Sequence, residues 1–275
     1  MKLDAHQHFW KYDPVRDAWI TDEMQAIQRD FMPEDVQPVL KQYGFDGCIA
    51  VQADQSEQET LFLLDLAEQY EFIKGVVGWV DLRAANVHER LEYFSTFPKL
   101  KGFRHIVQAE PQDDFLLRKD FCRGISLLQQ YQFTYDILIH PRHLKYAYEL
   151  ARQFPNQSFV IDHLAKPFIK DQVWEAWKKD MDAMAGLENV HCKLSGLVTE
   201  ADWKQWQVKD FAIYIEAVLE AFGSGRILFG SDWPVCLVAA DYKQLCEIVD
   251  ENTVSLSPQE KAKLWGLNAE KFYHL

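Results

Sequence analysis

The sequence repeats one pattern eight times: a short apolar run bounded by turn residues, followed by a longer segment with helical periodicity. The runs are Leu3 to Phe9, Gly47 to Ala53, Ile73 to Leu82, Lys101 to Val107, Thr134 to His140, Ser158 to Leu164, Val190 to Leu197 and Ile227 to Asp232. Runs that are apolar almost throughout are typical of parallel strands covered by helices. Eight strand-helix units in 275 residues predict an α/β fold, a single (β/α)8 TIM barrel that spans residues 1–275.

The segments between the runs carry helix signals of their own. Ser56 to Glu59 and Ser257 to Glu260 have the spacing of capping boxes, which mark helix starts. Other amphipathic segments are Phe121 to Tyr131, Leu144 to Phe154, Trp174 to Met184 and Phe211 to Phe222. The irregular stretch from Trp10 to Met32 predicts a long loop after the first strand. A doubly wound open sheet with a nucleotide cofactor is the alternative, and it is disfavoured because neither GxGxxG nor GxxxxGK[ST] occurs.

Composition narrows the classes of partner. The 29 basic and 42 acidic side chains give a net charge of −13, which disfavours binding to nucleic acid. Hydrophobic residues make up 48% of the chain, but no uncharged stretch approaches the roughly 18 residues of a membrane span. Five scattered cysteines without a CxxC pair predict reduced thiols and a cytoplasmic protein. A homo-oligomer is compatible with the sequence.

Two histidines end the first predicted strand. In a TIM barrel, the side chains at the carboxyl ends of the strands converge on the face where such enzymes place their sites. His6 and His8 are two residues apart, so both point to the same side of the strand. Two imidazoles on one face repel when protonated and readily share a metal ion. The pair therefore favours metal binding or catalysis over a packing role.

Ionisable residues also end the sixth and eighth predicted strands. His163 and Lys166 follow the sixth strand, and Asp232 follows the eighth. A charged carboxylate at the end of an apolar strand is costly to bury unless it meets a cation, a metal ion or strong hydrogen-bond donors. Asp232 is therefore the principal candidate for chemistry, with an N-cap of the next helix as the structural alternative.

Five motifs, each at its own strand end, carry a family resemblance. They are Leu3-Asp4-Ala5-His6-Gln7-His8-Phe9-Trp10, Lys101-Gly102-Phe103-Arg104-His105, Ile161-Asp162-His163-Leu164-Ala165-Lys166-Pro167, Lys193-Leu194-Ser195-Gly196-Leu197 and Phe229-Gly230-Ser231-Asp232-Trp233-Pro234. With these motifs the whole chain resembles the amidohydrolase superfamily, specifically its amidohydrolase-2 branch of TIM-barrel lactonases, which includes L-fuconolactone and L-rhamnonolactone hydrolases. The resemblance implies a hydrolase that opens a sugar-acid lactone, such as L-fuconolactone, to the aldonic acid.

The resemblance also assigns roles to individual residues. His6, His8, His163 and Asp232 match the family's metal ligands, which implies one divalent ion, zinc above all. Some lactonases of this branch work without a required metal. Asp232 matches the general base that activates water, and His163 is the second candidate catalytic residue. His140, at the end of strand five, competes with His163 as the third imidazole ligand.

Cationic and imidazole side chains at other strand ends are candidates for binding the substrate. Strand four carries Arg104 and His105, where two-metal relatives have a carboxylated Lys or a Glu, so a two-metal centre is not expected. Further candidates are His140, Lys166 and Lys193. For Arg104 and Lys193 the alternative is a buried ion pair with a carboxylate such as Asp162, and for Lys166 it is a solvated loop position.

Aromatic side chains complete the predicted site. Trp19 and Trp233 lie in loops expected at the same face, where indole rings can pack on the apolar face of a sugar, and core packing is the alternative. The predicted partner is a small-molecule sugar lactone, with no nucleic acid and no membrane. Two rival functions stay open: a metal-dependent decarboxylase of the same superfamily, and a non-catalytic barrel that binds a sugar acid.

Overall fold

Eight parallel strands follow one another around a barrel in the computed structural model, which describes residues 1–275. The strands are β1 (Leu3–Gln7), β2 (Gly47–Val51), β3 (Ile73–Gly78), β4 (Leu100–Ile106), β5 (Thr134–Leu138), β6 (Phe159–Ile161), β7 (Val190–Leu194) and β8 (Ile227–Phe229). Each strand pairs in parallel with the next one along the chain. Every predicted apolar run contains or overlaps one strand, and the predicted TIM barrel is confirmed.

Helices separate consecutive strands and continue after the last one. They are α1 (Pro33–Gln42), α2 (Glu57–Gln69), α3 (Val87–Phe94), α4 (Lys119–Leu128), α5 (Leu144–Gln153), α6 (Glu175–Ala185), α7 (Ala212–Phe222), α8 (Tyr242–Asn252), α9 (Pro258–Ala262) and α10 (Asn268–Phe272). The hydroxyl groups of Ser56 and Ser257 accept main-chain N–H bonds at the starts of α2 and α9, as the capping boxes predict. No helix is long and apolar enough to cross a lipid bilayer.

The barrel closes between β8 and β1 through contacts at its carboxyl end. The N–H of His8 donates to the carbonyl oxygen of Trp233 at 2.7 Å, and the N–H of Asp232 donates to that of His6 at 2.9 Å. The buried carboxylate of Asp4 accepts the N–H of His6 at 3.1 Å. The main chain on both sides of this seam is therefore fixed where the histidines and Asp232 stand.

Apolar side chains fill the inside of the barrel towards its amino end. They come from five strands and are Leu3, Ala5, Ile49, Val51, Val77, Val160 and Leu228. Phe272 and Tyr273, at the end of α10, belong to the same buried cluster. A larger apolar layer packs the helices against the outside of the sheet. Polar interior side chains are thus concentrated towards the carboxyl end of the barrel.

The predicted long loop after β1 folds against the mouth of the barrel. Its two ends are joined because Trp10 and Phe31 exchange main-chain hydrogen bonds at 3.0 and 2.9 Å. The ring of Trp10 is buried, and its Nε1 donates to the carbonyl oxygen of Arg29 at 2.9 Å. Trp19 packs on Trp10 with 6.0 Å between the ring centroids and stays 43% exposed. The loop thereby carries Trp19 to the carboxyl face.

Candidate active site

Four of the predicted residues meet at the carboxyl end of the barrel. Oδ1 of Asp232 lies 3.3 Å from Nε2 of His8 and 3.8 Å from the Nε2 atoms of His6 and His163. The Nε2 atoms of His6 and His8 are 3.2 Å apart. None of the four side chains is more than 5% exposed. One carboxylate oxygen therefore faces three imidazole nitrogens in a nearly closed space.

Neighbouring groups fix the orientation of two of these rings. Nδ1 of His8 lies 2.7 Å from the carbonyl oxygen of Val51, which can only accept, so Nδ1 carries a hydrogen and Nε2 faces Asp232. Nδ1 of His163 lies 2.9 Å from Oγ of Ser195. Each contact holds the ring by its far nitrogen and points Nε2 at the carboxylate, as is usual for catalytic or metal-bound histidines.

The strand ends that carry His163 and Asp232 leave the sheet on left-handed backbone. His163, Leu164, Ala165 and Lys166 all have φ between 53° and 58°, and φ of Asp232 is 58°. This conformation costs a non-glycine residue about 1–2 kcal/mol, and such strain concentrates at functional sites. The turn after β6 brings both His163 and Lys166 to the same cavity.

Burial and charge polarise the cluster. Burial raises the pKa of Asp232, but the surrounding imidazoles, led by His163, outweigh it, so the pKa lies below its ordinary value. Burial lowers the pKa of His163 to about 4. Burial and the nearby charge of Lys193 hold the pKa of His6 well below its ordinary range. At neutral pH the site therefore holds an ionised carboxylate next to the neutral imidazoles of His6 and His163.

A cavity of about 300 Å³ opens beside the cluster. This volume is at the low end for small-molecule sites. Its polar lining comes from His8, Arg104, Gln108, His163, Lys166 and Asp232. Trp19 forms part of its wall, next to small apolar residues such as Ala53. A ligand here would meet two cationic side chains, one carboxylate and an aromatic surface, a combination that suits a small polar ring.

A second charged layer lies beneath His6, inside the barrel. Nη1 of Arg104 is 3.1 Å from Oδ2 of Asp162 and 3.2 Å from Nε2 of His6. Nζ of Lys193 is 2.5 Å from Oδ2 of Asp136 and 3.0 Å from Oδ1 of Asp162. The side chains of Lys193, Asp136 and Asp162 are wholly buried. Because two cations face two carboxylates, the charges in this layer balance.

The sequence matches one family along nearly its whole length. The family model described as Amidohydrolase matches residues 3–275. The chain belongs to the amidohydrolase family. A curated relative of this amidohydrolase is an L-fucono-1,5-lactonase from Burkholderia multivorans, 38% identical, with 100% of this chain and 96% of the relative covered. An L-fucono-1,5-lactonase from Burkholderia ambifaria is 35% identical, with the same coverage of 100% and 96%.

Solved structures agree with this assignment. The crystal structure of an amidohydrolase from Burkholderia multivorans with bound zinc superimposes with a TM-score of 0.97 and 38% sequence identity. The alignment covers 100% of this chain and 99% of that one. The predicted resemblance to the amidohydrolase superfamily and its lactonase branch is therefore confirmed.

Two predicted substrate contacts of this amidohydrolase lie outside the cavity because of where their strands point them. Lys193 is wholly buried in the ion pairs with Asp136 and Asp162, the alternative considered for it above. His105 follows Arg104 on β4, and successive side chains of a strand point to opposite faces. Its ring accordingly stacks on Phe115 at 4.7 Å, outside the barrel. Neither side chain is placed to touch a ligand.

Trp233 and His140 also lie off the cavity lining. Trp233 is 4% exposed and packs edge-on against Phe31 with 5.2 Å between the centroids. It therefore packs in the core, which is the alternative given for it in the sequence analysis. His140 is partly buried beyond the end of β5, and its N–H donates to Nδ1 of His143 at 3.1 Å. Burial, with Lys166 nearby, lowers the pKa of His140 to about 4. Of the two candidate third ligands, only His163 faces Asp232.

The donor set of this amidohydrolase fits one divalent cation. His6, His8 and Asp232 offer ligand atoms within 4.8 Å of one another, and His6, Asp162 and His163 do so as well. Imidazole nitrogens with a carboxylate oxygen are ligands that zinc prefers. On β4 the interior position belongs to Arg104, which supplies no carboxylate bridge to a second ion. The structure therefore offers no bridging ligand from β4 for a second ion.

Sequence reasoning missed the residues that support the site from within the barrel. Ser195 lies in a motif named above, yet its contact with His163 depends on the register of β7 against β6. Asp136 interrupts the apolar run of β5 and pairs with Lys193 two strands away. A carboxylate and an ammonium group inside two otherwise apolar strands were the available signal, because such charges are buried only when they are paired.

Proposed function

We propose that this amidohydrolase hydrolyses a sugar-acid lactone, with L-fuconolactone as the leading substrate. The class of reaction, a hydrolase that acts on a cyclic ester, is confirmed by two curated lactonases that match the whole chain at 38% and 35% identity. The choice of L-fuconolactone follows from the names of those two relatives. The neutral ring of a lactone also suits a cavity of about 300 Å³ with a mixed polar and aromatic lining.

Asp232 is the proposed general base. Its carboxylate is ionised at neutral pH and opens on the cavity, so it can accept a proton from a water molecule that attacks the ring carbonyl. Its lowered pKa makes it a weak base, and the attacking water therefore needs help from a polarised carbonyl. Positioned acid-base catalysis of this kind contributes about 10² to 10⁴ in rate.

Lys166 and Arg104 are the proposed donors to the carbonyl oxygen. Both line the cavity, and the ammonium group of Lys166 has only one carboxylate neighbour, Glu200, at 3.7 Å. Arg104 is 4% exposed and already bonded to Asp162, so its geometry is fixed before substrate arrives. Donors that are placed in advance stabilise the negative charge that develops on the carbonyl oxygen of the tetrahedral intermediate.

The departing ring oxygen needs a proton when the C–O bond breaks. Asp232 holds the proton taken from water and is proposed to return it to this oxygen. His163 is neutral because its pKa is about 4, so it cannot supply that proton as an imidazolium at neutral pH. Its proposed part is to orient the water and Asp232 through Nε2, 3.8 Å from Oδ1.

A divalent ion, zinc in the first instance, is part of the proposal. His6, His8 and Asp232 would hold it, with His163, whose Nε2 lies 3.8 Å from Oδ1 of Asp232, as the proposed third imidazole ligand. The zinc-bound crystal structure of the Burkholderia multivorans relative supports a divalent ion. A bound zinc ion lowers the pKa of water and polarises carbonyl oxygens. Lys166 and Arg104 supply positive charge in the same cavity, so the proposal does not make the ion obligatory.

The observation that carries the proposal is the approach of three imidazole nitrogens to one carboxylate oxygen of Asp232 at the edge of the cavity. A non-catalytic sugar-acid binder would need no such arrangement. The decarboxylase alternative predicts strict metal dependence and release of carbon dioxide. A homo-oligomer, a cytoplasmic location and a place in L-fucose breakdown stay predictions.

The test is proton release from a panel of aldonolactones in weak buffer, corrected for spontaneous ring opening. L-Fucono-1,5-lactone is expected to be opened fastest, ahead of L-rhamnono- and galactonolactones. Asp232→Asn is expected to lose the activity, and Asp65→Asn, a change at an exposed site on α2, is expected to keep it. No acid release above background from any lactone would overturn the proposal and direct attention to a carbon dioxide assay with carboxylated substrates.

A further inference from the structure

The charged layer beneath His6 is connected to the residue that follows the last helix. The hydroxyl group of Tyr273 donates to Oδ2 of Asp136 at 2.9 Å. The same oxygen accepts a hydrogen bond from Nζ of Lys193 at 2.5 Å, and Nζ lies 3.1 Å from Nδ1 of His6. A continuous path of polar contacts thus runs from α10 at the amino end of the barrel to the carboxyl end.

We propose that Tyr273, Asp136 and Lys193 are positioning residues that hold the ring of His6 in its working orientation. The proposal rests on the proposed function, since it assigns to these residues an effect on turnover by the same site. None of the three lines the cavity, so none acts on the ligand directly. Lys193 contacts His6 and also pairs with Asp162, the partner of Arg104, so the ring signals of His6 are needed to identify the route.

The contacts of Lys193 restrict its ammonium group on three sides. Nζ has hydrogen-bond contacts with Oδ2 of Asp136 at 2.5 Å and Nδ1 of His6 at 3.1 Å, and Oδ1 of Asp162 lies 3.0 Å away in an ion pair. The side chain is wholly buried, so no water can replace any of them. A buried ammonium group 3.1 Å from an imidazole nitrogen restricts both the position and the plane of the ring.

Tyr273 decides where Asp136 points. Both hydrogen bonds of this carboxylate fall on Oδ2, and its buried Oδ1 has no partner. Without the hydroxyl group, the carboxylate would keep only Lys193, and a rotation that shares both oxygens with the ammonium group would become favourable. That rotation draws Nζ away from its present distance to His6. The unpartnered Oδ1 is thus explained as the consequence of holding Lys193 in one place.

The first variant is Tyr273→Phe, which removes one hydroxyl group and keeps the packing of the ring. We expect kcat for the lactone to fall about tenfold with KM changed less than twofold, in the range usual for residues that orient a functional group. Tyr214→Phe is the matched control. Tyr214 is also fully buried, but its hydroxyl group donates to the carbonyl oxygen of Phe168 at 3.3 Å, outside the barrel.

The second readout does not depend on the substrate. In ¹⁵N-histidine-labelled protein, the ring signals of His6, assigned with His6→Gln, report the environment of both of its nitrogens. Tyr273→Phe is expected to shift these signals, to leave the signals of histidines other than His6, His8 and His163 unchanged, and to preserve the melting temperature within a few degrees. Tyr214→Phe is expected to leave the His6 signals as they are.

A double variant tests the role of Lys193 and Asp136 in a protein that is expected to stay folded. Lys193→Met alone would leave the buried carboxylate of Asp136 without a cation and Asp162 with Arg104 alone, which is strongly destabilising. Combined with Asp136→Asn, it removes one buried charge of each sign, so the protein is expected to fold, to show displaced His6 signals and to have a lowered kcat.

The outcomes separate the two proposals. Unmoved His6 signals in both Tyr273→Phe and the double variant would overturn the positioning role, and so would an unchanged kcat accompanied only by a lower melting temperature. If native protein opens no lactone, the proposed function fails, while the His6 signals still decide whether Tyr273, Asp136 and Lys193 position the ring.

Discussion

The main-chain N–H of Asp232 donates to the carbonyl oxygen of His6 at 2.9 Å, across the seam that closes the barrel. The preceding residue, Ser231, is held as well, because its N–H donates to Oδ1 of Asp4 at 2.9 Å. The main chain at Asp232 is therefore held by contacts that do not involve its own side chain. Substitutions at this position can therefore distinguish the loss of the catalytic carboxylate from a change in backbone strain.

Asp232→Asn is expected to lower kcat for lactone hydrolysis by about 10² to 10⁴ while the protein stays folded. Asparagine has the same shape and tolerates left-handed backbone, but its amide cannot take a proton from water. Asp232→Ala is expected to be equally inactive and less stable by a further 1–2 kcal/mol or so, because alanine is strained at φ 58°. Urea unfolding measures the difference, and equal stability of the two variants would contradict the strain.

Gly196→Ala is expected to disable His163. An added Cβ would lie 2.6 Å from Cγ and Nδ1 of that ring, where the contact with Ser195 is made. We expect kcat to drop at least about tenfold, as for the loss of an orienting partner. Gly223→Ala is the control, because φ is +65° there and +64° at Gly196, yet nothing lies within 4 Å of the added atom. Both variants should lose stability, and only Gly196→Ala should lose turnover.

Lys166→Met is expected to lower kcat/KM for the lactone by roughly 10² to 10³, the usual effect of removing one donor that stabilises an oxyanion. The methylene stem is kept, so the change removes the charge and little of the packing. Lys170→Met, an exposed lysine in the same loop, is the control and is expected to keep wild-type rates. Similar losses in both variants would indicate a general effect of surface charge in place of a specific donor.

The fold was predictable because eight apolar runs recur with helical segments between them. The strand ends were less predictable. The run from Ser158 to Leu164 yields a strand of only Phe159–Ile161, because the chain turns into left-handed backbone from His163 onwards. No sequence signal marks four consecutive non-glycine residues with positive φ, since each is disfavoured locally and is held there only by the surrounding structure.

The alternation of side chains along a strand predicts which residues face the site. The prediction that both Arg104 and His105 bind substrate did not take this alternation into account. His6 and His8 share a face as their spacing predicts, while Arg104 and His105 cannot both point inwards. Nothing in the sequence indicates the irregularity in β1, where the pairing register with β2 shifts between Asp4 and Gln7. Asp4 consequently meets the hydroxyl group of Tyr242 on α8, although it is two residues from His6.

Stability at acidic pH should depend on His191, which lies on β7 away from the cavity. Burial, with Arg226 and Lys271 nearby, lowers its pKa to about 4, and its buried Nδ1 has no partner. Since the pKa of the folded state lies below that of the unfolded chain, about 6.5, protonation favours unfolding. This contribution to stability is complete above pH 6.5 and is lost as the pH falls towards 4, by up to about 1.4 kcal/mol per pH unit.

His191→Gln is therefore expected to flatten the fall in urea midpoint between pH 6.5 and pH 4. His274→Gln, which replaces an exposed imidazole, is the control and should follow the wild-type curve. If His191→Gln loses as much stability over this range as the wild type, acid unfolding is governed by other groups.

Metal titration decides between the two candidate third imidazoles. His163 has its Nε2 3.8 Å from Oδ1 of Asp232, whereas His140 takes part in neither group of side chains that could hold an ion. We expect chelator-treated protein to bind one zinc ion per chain by isothermal titration calorimetry. His163→Gln should weaken that binding at least about tenfold, and His140→Gln should leave it unchanged. The reverse order would assign the ligand to strand five. Because the binding measurement needs no substrate, its comparison with lactone turnover before and after chelation also shows whether Arg104 and Lys166 can sustain hydrolysis without the ion.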